Sequence, residues 1–122
     1  MCIGVTHRPE IHHVDLGRLF ETVAGDAGSK QPPETPLLCL VLATDGVWDN
    51  WTYEDANRFV LDASCINAVK SDPGGARRVA ASFMTRNAVY AKRNFGAQAD
   101  NATGIVLYIS QNNGIPQGSD FN

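Results

Sequence analysis

The clearest element along the chain is an apolar run of strand length. Residues Leu37 to Ala43 are continuously hydrophobic, with prolines before them and Asp45-Gly46 after them. An apolar run bounded by turn residues is typical of a strand that is buried on both faces. A second run, Ile105 to Ile109, is rich in β-branched and aromatic residues and predicts another buried strand.

Between these strands the apolar positions recur every three or four residues, which predicts two helices. Thr52 can act as a hydroxyl N-cap, with Asp55 three residues later, so we expect the first helix from about Tyr53 to Val69. The resulting order is strand, two helices, strand.

The segment Ser71 to Gly75 interrupts the helical pattern and predicts the start of the second helix, capped by Asp72 or a neighbour. We expect this helix to end near Asn94 to Gly96, because Gly96 can adopt the left-handed conformation that terminates helices.

The flanking segments are less regular. Met1 to Leu19 alternates loosely and predicts one or two short strands, with inward positions at Ile3, Val5, Ile11 and Val14. Thr22 to Pro36 is rich in glycine and proline and predicts an exposed loop. We expect a single domain over residues 1–110 and a flexible tail over residues 111–122.

Charge and composition narrow the possible partners. The 122 residues include 10 Lys+Arg and 13 Asp+Glu, a formal charge of -3, so neither nucleic acid nor a membrane is an expected partner. Several basic residues form a loose cluster between apolar positions, which is typical of a solvated helix face. They are Arg77, Arg78, Arg86, Lys92 and Arg93. The three cysteines are widely separated, which favours a reducing compartment. Because the sequence also shows no secretory signal or membrane-spanning segment, we predict a cytoplasmic or nuclear protein.

Two aspartates occupy positions that suit metal binding. Asp45 follows the first buried strand and Asp100 precedes the second, so both carboxylates would emerge at one end of an antiparallel pair. Gly46 leaves room beside Asp45 for water or a metal. Converging carboxylates suit hard cations such as Mg²⁺ or Mn²⁺. Taken singly, each dipeptide also fits a simple turn, since Asp-Gly and Asp-Asn are common turn sequences.

The residues around both aspartates extend the pattern. The segment Leu42-Ala43-Thr44-Asp45-Gly46-Val47-Trp48-Asp49 resembles the strand, Ser/Thr-Asp-Gly-aliphatic-Trp-Asp signature of type 2C protein phosphatases. The segment Asp100-Asn101-Ala102-Thr103-Gly104-Ile105-Val106 resembles the Asp-Asn-x-Thr motif of that family and the strand that follows it. Pro9-Glu10-Ile11 looks like the proline-glutamate strand entry of the family.

The resemblance implies an α+β fold, a partial phosphatase-type β-sandwich with flanking helices. It implies a metal-dependent serine/threonine phosphatase in which a metal-activated water attacks phosphoserine or phosphothreonine. Asp45 and Asp100 would be ligands of a two-metal Mg²⁺ or Mn²⁺ centre. Gly46 would shape the first loop, and Asn101 would orient the loop of Asp100 rather than contact substrate.

The chain also departs from the family pattern. The Asp-Gly-His-Gly-Gly motif, a preceding acidic ligand and a phosphate-binding arginine are missing, so the centre is incomplete and this chain alone is expected to be inactive. We expect the remaining half of the domain in cis or in trans, together with a phosphoprotein substrate. The alternative is a non-catalytic, phosphatase-like scaffold or binding subunit.

Other polar and aromatic residues favour structural roles. The histidines His7, His12 and His13 are expected at or near the surface, since adjacent strand residues point to opposite faces. Asp49 could lie near the metal centre, but its place between two tryptophans favours a turn cap before the helix at Thr52. The tryptophans Trp48 and Trp51 suit core positions. Cys39, in the middle of a strand, is expected to be inert.

Overall fold

A computed structural model describes residues 10–24 and 36–111 of the chain. These residues fall into two units that divide between Pro36 and Leu37. The described residues combine α-helices with a two-stranded antiparallel sheet, which confirms the predicted α+β class. No helix in these ranges is long and apolar enough to cross a bilayer.

The N-terminal unit contains one described helix, α1, over Leu16–Ala24. Asp15 caps it, because its Oδ1 accepts a hydrogen bond from the Arg18 backbone N–H at 3.2 Å. The predicted strand is therefore wrong for residues 10–19, where Ile11 and Val14 lie outside regular structure with exposures of 71% and 66%. The predicted loop is also wrong for Thr22 to Ala24, which belong to α1. Ile3, Val5, residues 25–35 of that loop and residues 112–122 of the predicted tail lie outside the described residues.

The C-terminal unit is built on β1 (Leu37–Ala43) and β2 (Gly104–Ser110), and both predicted strands are confirmed. They pair antiparallel in a register that runs from Leu37 opposite Ser110 to Ala43 opposite Gly104. Successive side chains alternate between the two faces of the sheet. One face therefore carries Cys39, Val41 and Val106, which pack against the helical core.

The opposite face of the sheet is open, so the predicted burial on both faces is wrong. Two cross-strand pairs on it are about half exposed: Leu40 with Leu107 (46% and 47%) and Leu42 with Ile105 (55% and 58%). The helices of this unit cover one face only, and no second layer of described residues from the same unit covers the other.

Four helices, not two, connect the strands: α2 (Asp45–Trp48), α3 (Tyr53–Val60), α4 (Ala63–Ser71) and α5 (Gly75–Phe95). The Thr52 cap is confirmed, because Thr52 Oγ1 accepts from the Asp55 N–H at 3.1 Å. The predicted helix over Tyr53 to Val69 is broken at Asp62, whose extended backbone and carboxylate cap a new helix by accepting from the Ser64 N–H at 2.9 Å.

The start and end of α5 follow from local chemistry. Asp72 accepts a hydrogen bond from the Gly74 N–H at 2.7 Å and pairs with Arg78, and both interactions hold the pKa of its carboxyl below the usual value. The N-cap position itself is Gly74 rather than Asp72. The predicted end is confirmed, since α5 stops at Phe95. Gly96, with a φ of +58°, is the first residue of a 3₁₀ turn over Gly96–Gln98.

The core of this unit lies between the helices and the inner face of the sheet. Its buried members come from α2, α3, α5 and the loop after α2; they are Val47, Trp51, Ala56, Val60 and Phe83. Trp51 packs against Phe83 with ring centroids 4.6 Å apart, and the half-buried Trp48 donates from Nε1 to the Ala43 carbonyl at 3.0 Å. Both tryptophans therefore have the core positions predicted for them.

Replacing Phe83 with alanine tests this core. Phe83 is fully buried, so we expect Phe83→Ala to lower the free energy of unfolding by about 3–5 kcal/mol through lost burial and a residual cavity. Phe95→Ala on the same helix is the matched control, because Phe95 is 45% exposed and should lose about 1 kcal/mol or less. Urea unfolding followed by circular dichroism measures both, and equal losses would contradict this core.

The thiol of Cys39 gives a pH-dependent test of the inner sheet face. Burial raises its pKa, with a smaller opposing effect from the Tyr108 hydroxyl across the strand pair. Because the thiolate is the reactive form, alkylation of Cys39 should reach its plateau at higher pH in the folded protein than in the urea-unfolded chain. Mass spectrometry of the Cys39 peptide measures the rate, and coincident pH profiles would show that the thiol is not buried.

Candidate metal centre

Asp45 and Asp100 occupy similar local settings. Asp45 is the first residue of α2, immediately after β1 and Thr44, and its Oδ1 accepts a hydrogen bond from the Gly46 N–H at 3.0 Å. Asp100 lies in the loop before β2, and its Oδ1 accepts from the Asn101 N–H at 2.7 Å. Both residues are exposed, and the second oxygen of each carboxylate forms no hydrogen bond with the residues that the structure describes.

The antiparallel sheet brings the two aspartate loops together. β1 ends and β2 begins at the pair Ala43 and Gly104, so both loops leave the same end of the sheet. Beyond that pair the Thr44 N–H donates to the Thr103 carbonyl at 3.0 Å, and the Thr103 N–H donates to Thr44 Oγ1 at 3.1 Å. This threonine clamp joins the loops, and the sequence prediction missed it although both motifs contain a threonine.

Gly46 is the point of closest approach between the loops. A Cβ at this position would lie 2.9 Å from the Asn101 carbonyl carbon and nearer still to its oxygen. Side-chain atoms do not approach backbone that closely, so only glycine fits. The Asn101 backbone therefore fills the space beside Gly46 that was predicted to be open to water or a metal, and the glycine instead permits the contact between the loops. The Asn101 side chain forms no hydrogen bond with other described residues.

Two asparagines hold the carbonyl of Gly46. Asn50 Nδ2 donates to this oxygen at 3.0 Å and Asn87 Nδ2 donates at 3.1 Å, while Asn94 Nδ2 donates to Asn50 Oδ1 at 3.1 Å. Asn87 is only 2% exposed. It lies four residues after the buried Phe83, so a polar residue in the apolar register of α5 was the signal for this role.

A cavity of about 300 Å³ lies beside Asp100 and extends to Asn87 and Lys92. Asn87 Oδ1 is buried and has no hydrogen-bond partner among the described residues. Because a buried acceptor without a partner costs about 1–3 kcal/mol, this atom favours a hydrogen-bond donor such as water. The positive charge of Lys92 at the same cavity disfavours a cation there.

Asp45 and Asp100 provide the type of ligand that a hard cation prefers, but too few ligands to complete its coordination. Carboxylate oxygens are the ligands that Mg²⁺ and Mn²⁺ prefer, and Asp45 and Asp100 supply two such groups on adjoining loops. Within residues 10–24 and 36–111, no three His, Cys, Asp or Glu side chains are grouped so that they could hold a metal ion. A metal at this point would need further oxygen ligands, and the role of both aspartates as ligands stays a prediction.

The remaining candidates have structural positions. Asp49 is the C-cap residue of α2, where its N–H donates to the Asp45 carbonyl at 2.8 Å. His12 lies 3.6 Å from Glu10, and both His12 and His13 are exposed and outside any strand. His7 lies outside the described residues.

Comparisons of the chain with models of protein families, with curated proteins and with solved structures each found no match.

Replacing Gly46 with alanine tests the contact between the loops. We expect Gly46→Ala to lower the free energy of unfolding by about 2–4 kcal/mol, because its methyl group collides with the backbone of Asn101. Gly74→Ala is the matched control, since a Cβ there meets only side-chain atoms at 3.4 Å or more. Urea unfolding measures both variants, and a Gly46→Ala protein as stable as Gly74→Ala would contradict the close approach.

Proposed function

We propose that this chain supplies the C-terminal part of a metal-dependent serine/threonine protein phosphatase of the type 2C class. The reaction is the hydrolysis of phosphoserine or phosphothreonine in a protein substrate. The observation that carries the proposal is the contact of Gly46 with the Asn101 backbone, because it joins the two phosphatase-like motifs at one end of the sheet. A shared metal site between the two motifs requires such a contact.

In this proposal Asp45 and Asp100 hold Mg²⁺ or Mn²⁺ through their exposed carboxylates. When bound, such metals would supply Lewis-acid activation of the attacking water and would neutralise charge on the phosphate oxygens. Each carboxylate is oriented by a backbone N–H on one oxygen, from Gly46 and from Asn101 respectively. The clamp between Thr44 and Thr103 fixes the separation of the two loops.

The rest of the catalytic domain would come from another segment, in cis or in trans. Two carboxylates leave a metal centre short of ligands, and the open face of the sheet leaves Leu40, Leu42, Ile105 and Leu107 half exposed. A second apolar layer over this face would bury these side chains, and each fully buried one contributes about 1.5–3 kcal/mol. A missing half that carries the other ligands accounts for both observations.

The open apolar face also supports a second candidate function. A phosphatase-like subunit without catalysis could use the pairs Leu40–Leu107 and Leu42–Ile105 to bind a partner as a scaffold. Such a scaffold needs the sheet face but does not need the charges of Asp45 and Asp100. Removing those charges therefore separates the two functions.

The decisive experiment is Mn²⁺-dependent hydrolysis of a phosphothreonine peptide, by this chain alone and by a longer chain that includes the upstream region. We expect activity only in the longer chain, and its loss on chelation of the metal. Asp45→Asn and Asp100→Asn should each lower the rate by at least about a hundredfold, because the amide keeps the local hydrogen bond but loses the charge that binds the metal.

Glu54→Gln is the matched control, because Glu54 is an exposed acidic residue of α3 that lies outside both motifs. Its activity should stay within a few-fold of the unaltered protein, at about 0.5 kcal/mol of transition-state stabilisation or less. A folded longer chain that lacks activity would reject the phosphatase and favour the scaffold. Activity that survives both Asp45→Asn and Asp100→Asn would reject their role as metal ligands.

A further inference from the structure

The cavity beside Asp100 has a positive charge on its wall that the proposed metal centre does not use. Lys92, from the last turn of α5, lines it together with the buried Asn87 of the same helix. The rest of the wall is mostly apolar; it includes Met84, Ala88, Ala91, Ala99 and Ala102. At about 300 Å³ the cavity is at the lower end of the range for ligand sites, so it suits one small group rather than a whole peptide.

The ammonium group of Lys92 is available to a ligand. It forms no hydrogen bond or ion pair with the residues that the structure describes, although Asp100 lines the same cavity. The five basic residues that cluster along α5 are all exposed, which confirms the solvated helix face predicted for them. Among these five, Lys92 alone lines this cavity, so its charge reaches a concave surface.

Asn87 adds a second group that favours a ligand in the cavity. Its Nδ2 is used, because it donates to the Gly46 carbonyl at 3.1 Å, but its Oδ1 is buried without a partner among the described residues. A water molecule that donates one hydrogen to this oxygen has a second hydrogen for a negatively charged oxygen. Lys92 and Asn87 can therefore support the same anion, one directly and the other through water.

Asp100 determines when an anion can bind in the cavity. Its own charge repels an anion there as long as that charge is not offset. In the proposed function, on which this inference rests, a metal held by Asp45 and Asp100 offsets the charge. Phosphate then suits the cavity better than a carboxylate, because its charge of nearly two at neutral pH can be shared between a metal and an ammonium group.

We propose that Lys92 binds the phosphate group of the substrate, and the inorganic phosphate product, beside the metal centre. An ammonium group suits this role because it is a compact charge with three hydrogen-bond donors on a flexible stem. Since Lys92 contacts phosphate in substrate and product alike, it contributes to the Michaelis constant, KM, more than to the turnover number, kcat. Metal and phosphate then each strengthen the binding of the other.

Steady-state kinetics of the longer chain, with Mn²⁺ and a phosphothreonine peptide, tests this role. We expect Lys92→Gln to raise both KM and the inhibition constant of inorganic phosphate by about tenfold, because a hydrogen bond to a charged group is lost. The kcat should change by no more than a few-fold. Lys92→Arg keeps the charge and should restore both constants to within about threefold of the unaltered protein. Unchanged constants in Lys92→Gln would overturn the proposal.

Arg93→Gln is the matched control. It removes the same charge from the same turn of α5, but the Arg93 guanidinium lies 5.2 Å from the centre of the Tyr90 ring and lines a separate cleft between α3, α4 and α5. We expect KM and the inhibition constant to stay unchanged in this variant. An equal rise in both variants would show a general effect of net charge and would contradict a specific contact. Circular dichroism verifies that each variant folds.

Equilibrium binding of inorganic phosphate separates this inference from the proposed function, because it needs no catalysis. Phosphorus NMR of phosphate titrated with the longer chain should show saturable binding that requires Mg²⁺ and weakens about tenfold in Lys92→Gln. Such binding by a chain without activity would reject the phosphatase and retain the phosphate site. An active enzyme whose phosphate affinity is the same in Lys92→Gln, or which shows no saturable binding, would reject the phosphate site and retain the phosphatase.

Discussion

The contact between Gly46 and the backbone of Asn101 is the constraint on which the rest of the C-terminal unit depends. Because no side chain separates them, the first turn of α2 lies directly against the loop before β2. The Thr44–Thr103 hydrogen bonds then extend the pairing of the strands past their ends. Asn87 ties the same turn to α5 through the buried carbonyl of Gly46, so one small region joins sheet, loop and helix.

Helix α5 serves two surfaces because of its periodicity. Phe83, Asn87 and Ala91 follow one another at intervals of four residues and are buried towards the core and the aspartate loops. Arg86 and Arg93 lie on a neighbouring stripe, seven residues apart, and line the cleft between α3, α4 and α5. At 21 residues, α5 is long enough to contribute to both surfaces.

The unit is a two-layer structure with one uncovered side. The helices bury Val41 and Val106 on the inner face of the sheet, whereas Leu40 and Leu107 on the outer face remain half exposed. An aliphatic sheet face that is open to solvent is costly to maintain unless another layer covers it. The incomplete set of carboxylates at the end of the same sheet is consistent with that layer contributing the remaining ligands, which is the arrangement that the phosphatase proposal requires.

Local chemistry in the sequence determined both strands, the Thr52 cap and the end of α5 at Gly96, because each depends on neighbouring residues. The sequence could also have predicted the end of one helix and the start of the next at Asp62, since aspartate is a strong N-cap. The exposure of the outer sheet face could not be predicted from the sequence, because an apolar run has the same pattern whether one layer or two cover the strand. Only the tertiary structure joined Thr44 to Thr103, 59 residues apart, and placed Arg86 of α5 beside the Phe59 ring of α3, since such contacts depend on the packing of separate elements.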